Sequence, residues 1–340
     1  MKFLSRRAAC GGLLALAVTI AGGAPQAQGL RELKLSTAQG PAFPLGRAGE
    51  RWAQLLNDVG KGAFEVRPYP GAVLSGRDPQ REFGAVRDGA ADLAVGSALA
   101  WSAQLPAFGT YVLPWLASEG SAIEALANNA ALRDRVAAQA AQAGVIVIGV
   151  APLGERVVAT VKGGVRAPAD ATGQRLRVGA NPLVIETLAA LGARGDAMSL
   201  ADAQAALAAG TLDGQEGPAT TLAVTRIAAS GQRFVTRWGA FGDVMVFAVR
   251  RPVWDGWGIE TRAAARAAAV EAAREADALA REDAAFAELT KQGVTLVRLT
   301  AAQRAAFRAA VQPVWSKWTA TIGAEVVDLA QAAVASTAKP

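Results

Sequence analysis

From residue 29 onward, apolar and polar positions follow two periods in turn. Leu33-Lys34-Leu35-Ser36-Thr37 switches sides at every residue, which predicts a strand with one covered face. Residues 46–58 set Ala48, Trp52, Leu55 and Leu56 three or four apart, which predicts a helix, and Gly60-Lys61-Gly62 ends it. Residues 64–69 read as a second strand, 79–86 as a helix and 92–95 as a third strand. An Ala-rich helix is predicted over 121–142, stopping near Gly144. The run 145–150, Val-Ile-Val-Ile-Gly-Val, is apolar throughout, as a strand covered on both faces must be. Alternation of strand and helix argues an α/β fold with a mainly parallel sheet.

The same grammar continues in a second block. Strands are expected at 156–160 and 175–178, a helix from Pro182 to just before Gly192, and another over 201–209. Residues 244–249 read as a fully buried strand. Residues 261–291 read as one long helix closed by Gly293, and 301–335 as a helix pair. Segments 86–92 and 207–213 share an aliphatic–x–x–Gly–x–x–Asp pattern, which suggests two similarly built lobes. A length of 340 residues also fits two domains.

The N-terminus follows neither period. Lys2, Arg6 and Arg7 precede an apolar run over 11–21, too short to span a bilayer, and small residues lead to a cut after Ala27. Residues 1–27 therefore read as a secretory signal. Ser5-Arg6-Arg7 leaves the twin-arginine route and the general secretory route both open. Its loss removes three bases and no acid, so the formal charge falls from +6 to +3, with 32 bases against 29 acids. No basic run remains to bind nucleic acid, and no later segment reads as a membrane span. The expected location is the periplasm.

Composition narrows the chemistry further. The chain has no histidine, and its one cysteine, Cys10, lies in the signal. His-based catalysis, His metal sites and a Cys nucleophile are excluded from the exported protein. Paired carboxylates such as Glu155 or Glu216 with Asp213 remain as the material for an enzyme. Yet there is no nucleophile elbow, and the glycines from Gly71 to Gly76 lack the lysine of a phosphate cradle. The sequence calls for no enzyme, no cofactor and no metal.

The most specific stretch is 173–218. It holds Gly173-Gln174-Arg175-Leu176-Arg177-Val178, then Leu191-Gly192-Ala193, then Gly210-Thr211-Leu212-Asp213-Gly214-Gln215-Glu216-Gly217-Pro218. With Tyr69-Pro70-Gly71, Leu74, the stretch 89–97 and Leu113-Pro114-Trp115, this resembles the solute-binding proteins of the tripartite ATP-independent periplasmic (TRAP) transporters, of the dicarboxylate-binding type. The resemblance covers essentially the whole exported chain.

It implies a two-lobed periplasmic binding protein fold with hinge strands and a long helix spanning both lobes. On that pattern lobe I is 29–153 plus 243–283 and lobe II is 154–242 plus 284–340. It also implies an organic-acid ligand, held through its carboxylate by Arg177, and TRAP membrane permease subunits as partners. A guanidinium matches a carboxylate with two parallel N–H donors and stays charged. Arg156 falls at the position of a second ligand-facing arginine. Ser97, at a strand end, and Gln39, in the first strand–helix loop, are candidate polar contacts, and Trp101, Trp238 and Phe241 are candidate pocket walls. Gly217 replaces the family's asparagine and Gln204 a common tyrosine, so an altered pocket is expected, with room at Gly217. The alternative reading is a periplasmic binding protein serving a sensor or another transporter type.

Overall fold

The computed structural model describes residues 30–280 and 282–337. The expected export segment, 1–27, lies outside the described residues. Among the described residues nine strands form one mixed sheet: β1 (Arg31–Thr37), β2 (Phe64–Tyr69), β3 (Leu93–Ser97), β4 (Val145–Thr160), β5 (Arg175–Val178), β6 (Arg194–Ala197), β7 (Gly214–Pro218), β8 (Phe234–Arg250) and β9 (Thr295–Arg298). The order is β2-β1-β3-β8-β4-β7-β5-β6, with β9 on β8. The outer pairs β1–β2, β1–β3, β5–β6, β5–β7 and β8–β9 are parallel, as expected. The central pairs β3–β8, β4–β8 and β4–β7 are antiparallel, which the alternation of strand and helix did not anticipate.

The reason is that β4 and β8 are far longer than their apolar runs. Residues 145–150 and 156–160 are one strand, and 244–249 is the second half of another. The two pair from Val145–Arg250 to Thr160–Phe234, with register shifts at Val147/Gly149, Pro152/Gly154 and Arg156/Val158. Such irregularities bend and twist a ribbon locally. One end of the ribbon continues into β3, β1 and β2, the other into β7, β5 and β6. The ribbon is thus common to both halves of the sheet.

Helices cover the two faces. The helix Pro44–Gly60 starts with proline and buries Trp52, which stands edge-on to Phe247 with ring centroids 5.3 Å apart. The helix Ile259–Ala280 packs on it through small residues such as Ala265, Ala269 and Ala272. The long helix expected over 261–291 is helical over Ile259–Ala280 and Glu282–Lys291, on either side of residue 281, which lies outside the described residues. The helix expected over 121–142 is likewise two, Gly120–Asn128 and Ala130–Gln142. Asn129 leaves helical geometry, and its side chain accepts a bond from the Leu132 N–H. The C-terminal pair is three helices, 301–310, 312–322 and 324–335, broken at Val311 and at Gly323, whose φ is 106°. The last two pack against the 106–112 turn and the 120–142 helices. Among the described residues no helix is long and apolar enough to cross a membrane.

Candidate functional site

A cleft of about 430 Å³ opens beside the middle of the β4–β8 ribbon, at Leu153, Arg156 and Asp243. One wall comes from the β1–helix loop, the 77–80 turn and the start of the 98–101 helix. The other comes from β5, the 179–184 turn, the 197–200 segment and the start of the 219–224 helix. Strand carboxyl ends and helix starts meet here, where α/β sheets place ligands.

Arg177, Arg156, Ser97 and Gln39 all line this cleft. Arg177, on β5, donates from Nε to the Met198 carbonyl at 2.9 Å, and its guanidinium pairs with no acid among the described residues. Burial is the main cause that brings its pKa down to about 10. Nearby Arg156 adds to the fall and Glu216 opposes it. Arg156, on β4, is engaged differently. Its Nε and Nη2 donate to the two oxygens of Glu216 at 2.7 and 2.9 Å, and Nη1 lies 3.8 Å from Asp243 Oδ2. Burial alone would lower the Arg156 pKa, but Glu216 and Asp243 more than offset this, and the net direction is upward.

Ser97 caps the 98–101 helix by accepting from Ala100 N–H at 3.2 Å, and donates to Asp243 Oδ2 at 2.6 Å. Asp243 Oδ1 accepts from the N–H groups of Leu99 and Val244 at 3.2 and 2.9 Å. Burial pushes the Asp243 carboxyl up from its ordinary pKa, against the pull of Arg156 and of these donors. Gln39 donates across the cleft to Thr221 Oγ1 at 3.3 Å.

Four expected contacts are not brought to the cleft. Trp101 is fully buried, donates to Glu82 Oε2 at 3.3 Å and packs against Phe83 and Phe108. Trp238 and Phe241 are fully buried in an aromatic group with Trp115 and Phe307. Their size drove them into the core, where large rings bury most area. Gly217 faces the interior behind β7. A Cβ there would meet Leu222 Cδ2 at 3.8 Å, so the space it leaves belongs to the core rather than to the pocket. Gln204 is exposed on the 200–208 helix and does not line the cleft.

The structure adds two residues that sequence reasoning passed over. Asp243 lies one residue before the predicted buried strand, where an acid reads as a loop residue. Asn181, buried, does two jobs. Its Oδ1 accepts from Leu183 and Val184 N–H, capping the 182–190 helix. Its Nδ2 donates across the cleft to Leu99 O at 2.5 Å and Ser102 Oγ at 3.0 Å. The Asn-Pro pair at 181–182 was a legible cap signal, but nothing local indicated the second job. Among the described residues no cluster of His, Cys, Asp and Glu is arranged to hold a metal.

The chain matches, over residues 35–321, the bacterial extracellular solute-binding protein family 7. It is similar to the C4-dicarboxylate-binding periplasmic protein DctP of Rhodobacter capsulatus, 24% identical over 310 residues that cover 89% of this chain and 91% of the relative. A TRAP periplasmic solute-binding protein from Ralstonia eutropha H16, solved with bound (S)-2-acetolactate, superimposes with a TM-score of 0.84. It is 38% identical, over 90% of this chain and 99% of that one. A TRAP solute-binding protein of Shewanella oneidensis with bound succinate has the same fold at 19% identity and a TM-score of 0.79, over 90% of this chain and 99% of that one. The family match, the two-lobed fold of these neighbours and the arginine-lined cleft lead to one conclusion: this chain is a member of the bacterial extracellular solute-binding protein family 7, of the TRAP transporter type.

Proposed function

We propose that the protein is the periplasmic solute-binding subunit of a TRAP transporter, capturing an organic acid between its lobes and delivering it to the membrane permease. The observation that carries this reading is the Arg177 guanidinium, held inside the cleft with no acid paired to it among the described residues. A charged group taken out of water without a partner is costly to the fold. A ligand carboxylate supplies that partner through a bidentate, charge-assisted pair. The neighbour at 38% identity holds an acid of this kind, a small hydroxy-oxo acid.

On this reading residues 1–27 are the export signal, and the lobes divide near 153 and 243, where β4 and β8 pass from one half of the sheet to the other. Lobe closure traps the ligand because it contacts both walls, and the closed form is the one the permease recognises. Arg156, Ser97 and Gln39 shape the site: Arg156 through its pair with Glu216, Ser97 by holding Asp243, Gln39 by bridging the walls. On this reading the protein binds its acid and passes it on unchanged, in keeping with a family of solute-binding proteins.

The test is a thermal-shift screen of the purified protein against organic acids, acetolactate included, followed by calorimetry on the hits. A specific acid raises the melting temperature by mass action. Arg177→Ala is expected to abolish the shift. Full affinity in that variant would refute the carboxylate assignment, and stabilisation by neutral solutes alone would refute the organic-acid reading.

A further inference from the structure

The buried cations of the cleft are two, Arg177, which no acid pairs among the described residues, and Arg156, which the protein holds against its own acids. Arg156 spends the Nε–Nη2 edge of its guanidinium on Glu216, and its Nη1 faces Asp243. Arg177 gives only Nε to a carbonyl. The buried set Arg156, Arg177, Glu216 and Asp243 is therefore balanced, two cations against two acids, before any ligand arrives. One ligand carboxylate on Arg177 completes the single cation that lacks an acid. A second carboxylate in the buried part of the cleft would meet only Nη1 of Arg156, which already faces Asp243 Oδ2 at 3.8 Å, and would add a negative charge beside that acid.

Asp243 cannot turn away from such a charge. Its two oxygens are held by Ser97 Oγ and by the N–H groups of Leu99 and Val244, at 2.6 to 3.2 Å. At about 1% exposure there is little water to screen it. Arg77 also lines the cleft, but it is exposed at the rim beside Asp78 and acts in high dielectric. The rest of the lining is neutral. Ser199, Thr220 and Thr221 offer hydroxyls, and Leu45, Leu153 and Met198 offer apolar surface.

We infer that the cleft accepts ligands with a single carboxylate and excludes dicarboxylates, and that Asp243 is the residue that sets this preference. The favoured ligand is a small monocarboxylate with a short aliphatic body and a hydroxyl or oxo substituent. This rests on the carboxylate-capture reading above and narrows it. Exclusion works by repulsion and by an unpaired buried charge, the usual means by which a site rejects a near-identical competitor.

The test uses matched probes that differ in one charge. Calorimetry at pH 8 compares 2-hydroxyisobutyrate, acetolactate and monomethyl succinate with malate and succinate on the wild-type protein. At least one monoacid is expected to bind, with every diacid at least 100-fold weaker. Asp243→Asn keeps the size and hydrogen-bonding capacity of the side chain, and is expected to narrow the monoacid-to-diacid ratio at least tenfold. Succinate or malate binding to wild type within threefold of the best monoacid overturns the inference while leaving carboxylate capture intact. An unchanged ratio in a folded Asp243→Asn protein overturns the role of Asp243. Binding of neutral solutes with no acid of either kind overturns the carboxylate reading itself. The wild-type comparison stands whether or not the variant folds.

Discussion

Burial and charge pull against each other at Arg177. Removal from water disfavours its charged form, as the downward pKa shows, and the attraction of Glu216 offsets that loss only in part, since among the described residues no acid pairs with it directly. A residue kept under such strain for binding leads to an unusual expectation. Arg177→Met, of similar length and without charge, should leave the ligand-free protein as stable as wild type or more so, while lowering acid affinity at least 100-fold. Thermal melts with and without ligand check both parts together. Asn181 gives a complementary case. Asn181→Asp keeps the oxygen that caps the 182–190 helix but replaces the Nδ2 donors to Leu99 O and Ser102 Oγ with an acceptor. The helix should survive, and ligand affinity should fall about tenfold because the closed form loses bonds across the cleft. Small-angle scattering at saturating ligand should show a larger radius of gyration than wild type. Asn181→Ala, which loses the cap as well, should cost about 1 kcal/mol more in stability. Arg177 and Arg156 were reached through the resemblance, since spacing alone leaves an arginine on a strand open to an internal ion pair of the kind Arg156 makes with Glu216. Asp243 and Asn181 were not, because their partners lie 144 and 82 residues away in sequence.

The ribbon of β4 and β8 shows what periodicity can and cannot deliver. Its apolar stretches were plain in the pattern, but the segment 151–155, Ala-Pro-Leu-Gly-Glu, carries the marks of a turn and splits β4 on paper. In the protein it is bent strand, because β8 runs alongside and satisfies its backbone. Strands β6, β7 and β9 were missed for a related reason: Gly-Gln-Glu-Gly-Pro of β7 has no hydrophobic alternation, and its strand form comes from its neighbours β4 and β5. Where the ribbon meets the helix Glu282–Lys291, a buried cluster ties the elements together. Arg237 of β8 donates to Glu155 Oε2 of β4 at 2.9 and 2.7 Å and to Glu282 Oε2 at 3.2 Å, with Phe286 beneath its guanidinium. Glu282 Oε1 in turn accepts from the Glu155 N–H at 2.7 Å. Arg237→Ala would leave two largely buried carboxyls without their shared cation, at a cost of about 3–5 kcal/mol. Denaturant unfolding of the variant checks this. A loss below about 1 kcal/mol would mean that the cluster is solvated in solution and does not fasten the junction.

At the scale of the fold, four acids among the described residues are held in surroundings that favour their neutral form, and this sets how stability responds to pH. Burial is the largest cause at each of Glu82, Glu155, Asp243 and Glu282, and each has its pKa raised, Glu82 and Glu155 to about 7. Between an unfolded value of 4.5 and a folded value near 7, such a group binds its proton more tightly in the native state than in the unfolded chain. Stability from this source is complete below about pH 4.5 and is lost as the pH rises to about 7. Asp88 works in the opposite direction, held low by Arg87, but it is exposed and screened. The melting temperature of the ligand-free protein should therefore be higher at pH 5 than at pH 7.5. Glu82 isolates the effect best. It accepts from Ser36 Oγ at 2.7 Å and from Trp101 Nε1 at 3.3 Å, and among the described residues no lysine or arginine pairs with it. At about 1.4 kcal/mol per pKa unit, its share is at most about 3.5 kcal/mol across the window. Glu82→Gln keeps an oxygen for Trp101 and an amide for Ser36 with no charge to desolvate. The variant should match or exceed wild type at pH 7.5, and its stability should change less with pH from 4.5 to 7. A wild-type melting temperature that instead rises steadily over that interval would show that the exposed ion pairs, rather than these interior carboxyls, govern how the fold responds to protons.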